Sequence, residues 1–151
     1  MSKIALFARY ADAFEKAFES DDWKPIAPFF APDATYAPGG GPFPDEVVGR
    51  DAILDYFKRV LDGFDRRFAH RTLALLDGPR ESEDSVWIKG SAGYDAAGVP
   101  DIVFELEEEV WFRDGLITRI EDRYEPEAIR EIEAFLEAHA DTLGIVPVRV
   151  D

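Results

Sequence analysis

Cysteine is absent from these 151 residues, which excludes a disulfide framework, thiolate chemistry and any cysteine-ligated metal centre. Positive charge is scarce: 17 lysines and arginines stand against 32 acids, a formal net charge of −15. Such a surface repels phosphate backbones and anionic membranes, so nucleic acid is not an expected partner. No apolar run is long enough to span a bilayer, and no membrane partner is expected. The N-terminus carries Lys3, Arg9, Asp12 and Glu15 within an amphipathic pattern, unlike the apolar core of a signal peptide. The expectation is a soluble, cytoplasmic protein. No internal repeat or linker breaks the chain, so residues 1–144 are expected to form one domain and 145–151 a C-terminal tail.

Apolar material is plentiful by contrast. Hydrophobic residues make up 46 % of the chain and aromatics 13 %, with 12 phenylalanines, a composition that builds a real core. Helical spacing comes first: Ile4, Phe7, Ala8, Ala11, Phe14 and Phe18 form one stripe, with Tyr10 on its flank. Asp21 and Asp22 can cap a short second helix around Trp23 and Ile26, which Pro28 keeps short. Thr35 and Tyr36 begin a brief strand. The run from Pro38 to Pro44, with Gly39, Gly40 and Gly41, is too rich in breakers for a regular element and reads as the rim or lid of a site. Gly49 to Leu61 reads as a third helix, stopped by Gly63. Strands are expected over Arg67–Leu76 and Ser85–Tyr94, joined by a turn at Asp77-Gly78-Pro79. Pro126 opens a last helix with Ile129, Ile132, Phe135 and Leu136 inward, Gly144 closes it, and the tail could add an edge strand.

Between Val103 and Tyr124 the alternation is strict enough to solve a hairpin. Glu105, Glu107, Glu109 and Trp111 share one face with Arg119, Glu121 and Arg123; Phe104, Leu106, Glu108 and Val110 share the other with Ile120, Asp122 and Tyr124. A two-residue loop would set Glu109 against Ile120 and mismatch both faces. A three-residue loop with Gly115 left-handed pairs Glu109 with Arg119 and Glu105 with Arg123, which opposite charges favour. In that register Glu108 and Asp122 are diagonal neighbours, roughly 7 Å apart, on an apolar face. A bulge could instead turn Glu108 outward, and Asp122 could be a structural acceptor.

Helices before a strongly twisted sheet imply an α+β fold: a cone-shaped, curved antiparallel sheet wrapped around the N-terminal helices with an internal cavity. Arg67 and Arg71 mark one face of their strand as outer, which would turn His70 inward. His70 is then either a hydrogen-bonded core residue or a catalytic group beside the two acids. On the next strand Val86, Ile88, Gly90, Ala92 and Tyr94 form the expected inner face, and the small Gly90 and Ala92 leave volume. Trp87, Trp111, Leu73 and Ile117 are expected on the convex face, where apolar area amid arginine–glutamate ladders suits a homodimer.

The succession of FFAPDATY, the Gly/Pro loop, VVGRDAILDYF, the His70 strand and EEEVWFRDGLITRIEDRY resembles the nuclear transport factor 2-like superfamily, over roughly residues 8–125. Within it the chain is most similar to SnoaL-like and ketosteroid isomerase-like small proteins. The resemblance implies a cone with a hydrophobic cavity and commonly a dimer built on the outer sheet face. It implies a catalytic aspartate on the last strand, where Asp122 stands in RIEDRY. It implies an oxyanion hole of a helix tyrosine and a neutral inner-strand acid, where Tyr10 in FARY and Glu108 stand. The isomerases' base falls at about Pro38, which cannot abstract a proton, and Lys89 and Ser91 stand where epoxide hydrolases carry an arginine–aspartate pair.

The residues therefore point to a cofactor-independent enzyme that moves protons on a small apolar carbonyl-type ligand, as a cyclase, isomerase or dehydratase. Asp122, relayed by His70, would be the base; Glu108, kept neutral, and Tyr10 would donate hydrogen bonds. The alternative is a non-catalytic ligand-binding or dimerisation module whose polar groups satisfy one another. His70, Glu108 and Asp122 also form a conceivable metal-ligand set.

Overall fold

The structure, a computed structural model, describes residues 1–146. Helix α1 (Lys3–Ser20) starts where the Ser2 hydroxyl accepts the Ala5 N–H at 3.1 Å and stops where Asp21 turns left-handed. It buries Phe7, Tyr10 and Ala17, whereas Ala8 is exposed. A 3₁₀ helix (Lys24–Phe29) leads into β1 (Phe30–Ala37), followed by the two-residue β2 (Val47–Val48) and α2 (Arg50–Gly63). A second 3₁₀ helix (Asp65–Arg67) precedes β3 (His70–Glu81), β4 (Ser85–Asp95), β5 (Ile102–Arg113) and β6 (Leu116–Arg123). Helix α3 (Pro126–Leu143) has Pro at its start and left-handed Gly144 at its end.

The six strands form one curved, unclosed sheet in the order β2-β1-β6-β5-β4-β3. Its pairs are antiparallel except β1 with β6, which run parallel and set Tyr36 beside Ile120. The α+β cone expected from the sequence is therefore present, with one parallel seam. Two apolar clusters fill it. One joins α1, α2, β1 and the β5–β6 end through Phe30, Ile26, Ile53, Val110 and Ile120; the other joins α3 to Phe64, Tyr94 and Phe104. Fully burying side chains of this size contributes about 1.5–3 kcal/mol each.

Four expectations need correction. The β5–β6 turn has two residues, Asp114 and Gly115, both at positive φ (53° and 78°), the geometry that a right-twisted hairpin prefers. Thr118 then has no cross-strand partner, because Trp111 pairs with Arg119 and Phe112 with Ile117. This bulge returns the charged face outward, which a two-residue loop alone would not do. Both carboxylates keep their face, but Glu108 sits directly opposite Asp122 rather than diagonal to it. The bulge also turns Ile117 inward, where it is fully buried, so it is not on the convex face.

The second correction is His70. Strand β3 begins at His70, after the 3₁₀ helix, and this break shifts the alternation that Phe68 suggested. Arg71 pairs with inward Tyr94 and Leu73 with inward Ala92, so these two point in. His70 pairs with Asp95 and its side chain is 74 % exposed. The arginine misled because Arg71 is ion-paired inside the molecule. Third, Leu73 thereby leaves the convex face, where only Trp87 and Trp111 remain of the apolar set. Fourth, Gly78-Pro79 is not the turn: it is an irregularity within β3, and the chain reverses between Glu81 and Ser85. The expected tail strand over 145–150 lies almost wholly outside the described residues, though Ile145 is buried against the α3 cluster.

Candidate active site

A cavity of about 420 Å³ opens where the two apolar clusters meet. Rings form much of its wall: Phe7, Tyr10, Tyr56, Phe57, Phe104 and Tyr124 all line it. Gly90 and Ala92 on β4 line it as well, and their small side chains leave the space that larger residues would fill. The Pro38–Pro44 loop contributes Pro38 and Phe43 to the cavity wall, and Phe43 stacks on Tyr124 with centroids 5.8 Å apart.

Glu108 on β5 and Asp122 on β6 enter this apolar space side by side, as their direct cross-strand pairing requires. Asp122 is 8 % exposed. Its Oδ2 accepts the Tyr36 hydroxyl, which the parallel β1–β6 register carries to it. Its Oδ1 is buried and receives no hydrogen bond from any fixed N–H or hydroxyl among the described residues. The neighbouring Glu108 carboxyl lies within hydrogen-bonding reach. Two carboxylates cannot bond to each other, but a protonated Glu108 can donate to Asp122.

Electrostatics lead to the same protonation state. Burial above all, and then the adjacent Asp122 charge, pushes the Glu108 carboxyl well above the ordinary glutamate range. Burial raises Asp122 above the ordinary aspartate range too, but less far than Glu108, because hydrogen bonds from Glu108 and Tyr36 and the charge of Arg123 partly oppose it. Asp122 therefore ionises first and Glu108 keeps the proton. Burial, reinforced by these two acids, also raises the Tyr10 hydroxyl well above its usual value, so it remains a donor. Tyr10 lines the cavity and makes no hydrogen bond within the described residues, which leaves that donor free.

Three of the four candidate residues thus converge: Asp122, Glu108 and Tyr10. His70 does not join them; its Nδ1 meets Asp95 Oδ1 at 2.7 Å on the outside of the sheet, and that partner raises its pKa. The metal-ligand set that needed it therefore does not assemble. Sequence reasoning misses Tyr36 as a functional residue, since only the long-range parallel pairing of β1 with β6 reveals it. It misses a second polar group in the cavity wall as well: Asp65, Arg71 and Tyr94, with Glu15 from α1.

A curved sheet wrapped on N-terminal helices around an aromatic cavity with paired acids defines a nuclear transport factor 2-like protein. Residues 9–120 match the SnoaL-like domain, and the chain belongs to that family. An NTF2-like protein of unknown function from Burkholderia pseudomallei superposes with a TM-score of 0.67 at 18 % identity, covering 89 % of this chain and 98 % of that one. A putative polyketide cyclase from Xanthomonas campestris pv. campestris gives 0.59 at 21 % identity over 89 % and 99 %. A hypothetical protein of ketosteroid isomerase-like fold from Catenulispora acidiphila, in complex with trimethylamine, gives 0.58 at 18 % identity over 80 % and 88 %. At these identities the likeness is one of fold. No curated protein matches the chain. Among the described residues no helix is long and apolar enough to cross a membrane.

Proposed function

We propose that this protein is a cofactor-independent enzyme catalysing proton transfer on a small apolar carbonyl compound, of the cyclase, isomerase or dehydratase type. The observation that carries the reading is the Asp122 Oδ1, buried without a donor beside a carboxyl that burial keeps protonated. Asp122 removes the proton from the carbon next to the carbonyl, and the C–H electron pair moves onto the carbonyl oxygen as an enolate. Once Asp122 is protonated it no longer needs the Glu108 hydroxyl. Glu108 then turns, with Tyr10, to donate to the new oxyanion. Returning the proton to another carbon completes an isomerisation; attack of the enolate carbon on a second carbonyl of the same molecule, whose oxygen then takes the proton from Asp122, closes a ring; expelling a β-hydroxyl that takes the proton and leaves as water completes a dehydration. The aromatic wall excludes water, which strengthens each of these interactions.

The test is deuterium exchange. A panel of enolisable cyclic and aryl ketones is incubated in deuterated buffer and followed by mass spectrometry. The proposal expects α-deuteration of at least one ketone by the wild type and none above background by Asp122→Asn. Identical exchange by both proteins would leave a ligand-binding module rather than an enzyme.

We also propose a homodimer through the convex face. Trp87 and Trp111 support it, standing half-buried beside the Arg119, Glu121, Arg123 and Glu109 ion pairs, since tryptophan and arginine are enriched in interfaces. The strongly acidic charge, which disfavours anionic membranes, suits work in the cytoplasm; fractionation of expressing cells tests that.

A further inference from the structure

The polar group built on Arg71 has no part in the proton-transfer scheme, yet it faces the same cavity. Arg71 lies on β3, the edge strand, separated from the β5 acid by β4. Its side chain is only 12 % exposed. The Nε donates to Asp65 Oδ2 at 2.9 Å, and the Tyr94 hydroxyl donates to the same oxygen at 2.9 Å. A buried aspartate that is itself pinned therefore fixes the plane of the guanidinium. The Phe18 ring supports it from one side, 4.6 Å from the guanidinium carbon.

The far edge of the guanidinium is held differently. Nη1 and Nη2 donate to Glu15 at 3.0 and 3.4 Å, an uneven fork. Glu15 is 45 % exposed and makes no other hydrogen bond or ion pair within the described residues. Glu15 and Leu73 both line the cavity and both reach solvent, so the cavity meets the surface between α1 and β3, at Arg71. Arg71, Asp65, Tyr56, Glu108 and Asp122 all line this one cavity, so the space runs from the mouth to the acid pair.

We infer that Arg71 is a carboxylate-binding subsite at the cavity mouth, and that Glu15 occupies it until a ligand arrives. The ligand class is an organic anion with a flat apolar body: its carboxylate takes the two Nη groups while its rings enter the aromatic interior. The exchange replaces one carboxylate by another on the same guanidinium, so no net charge is added to the site. Glu15 is a surface side chain anchored only by this contact, and such ion pairs are worth little. Asp65 keeps the fork aimed throughout, which is what bidentate recognition requires.

Isothermal titration calorimetry with 2-naphthoate, and with its neutral isostere 2-naphthamide, tests this. The wild type should bind naphthoate more tightly than the amide. Glu15→Ala should tighten naphthoate by about two- to fivefold, since a pair whose glutamate is open to solvent is worth little, and leave the amide unchanged. Arg71→Lys should weaken naphthoate about tenfold or more through loss of the fork. Equal binding of acid and amide in both the wild type and Glu15→Ala overturns the proposal, as does failure of naphthoate to bind either protein. Glu15→Ala changes only a half-exposed helix position, so it decides the question even if the Arg71 variant does not fold. The deuterium-exchange assay reads the acid pair and the naphthoate–naphthamide difference reads this subsite, so either can fail alone.

Discussion

Replacing Glu108 by glutamine should make the protein more stable relative to wild type as pH rises. In the folded chain burial and Asp122 hold the Glu108 proton to well above the ordinary range; in the unfolded chain that carboxyl titrates near 4.3. Between those two values the native state binds a proton that the unfolded state does not, so each pH unit within the window removes about 1.4 kcal/mol of stability. The contribution is complete below about pH 4.3 and is lost as pH rises towards the native value. The glutamine amide does not titrate, and its N–H₂ can still donate to the Asp122 Oδ1. The stability difference between variant and wild type should thus grow by about 1.4 kcal/mol per pH unit, or about 3–6 °C in Tm for a chain of this size. Thermal or urea melts of both proteins at half-unit steps from pH 4.5 to 7.5 measure it, and subtraction removes the acids outside the Glu108–Asp122 pair. Parallel pH profiles would refute the reasoning, because they would mean that Glu108 ionises like an exposed glutamate.

Tyr36→Phe removes the hydroxyl that Asp122 accepts; a loss of about 1.5–3 kcal/mol is expected in urea melts near neutral pH, shrinking at acid pH where Asp122 is protonated. Gly39→Ala should cost clearly more in Tm than Gly49→Ala. Both glycines sit at positive φ, but a Cβ on Gly39 would come within 2.5 Å of the Tyr124 ring, whereas Gly49 faces open space. Equal losses would show that the Pro38–Pro44 loop does not press on Tyr124. Light scattering at micromolar concentration should find a dimer that Trp111→Ala weakens; a monomer in both cases removes the convex-face interface.

The faces of the hairpin are legible in the chain because charge has to alternate out and apolar groups in, whatever the register. That is why Glu108 and Asp122 fall correctly on one face while the expected pairing is two residues off. The turn type is present in Asp114-Gly115, but the bulge at Thr118 has no local signature: it is set by burial of Ile117 against the core. His70 goes the other way because an arginine usually marks solvent, and Arg71 breaks that rule only through Asp65, six positions earlier, and Tyr94 on the next strand. Tyr36 is legible as a strand residue but not as the partner of Asp122, 86 positions away, since the parallel seam that joins them is a long-range pairing. Tyr10 is placed by its likeness to a family position; it is buried and lines the same cavity as both acids.

The protonation state of the acid pair is the central claim, and carbon-detected NMR of the side-chain carboxyls reads it directly. With glutamate and aspartate carboxyls labelled and Glu108 assigned through Glu108→Gln, its carbon should keep the shift of a neutral acid at pH 7 while Asp122 is already ionised. A Glu108 resonance that titrates with a midpoint near 4.3, the value of a solvated glutamate, would contradict the account.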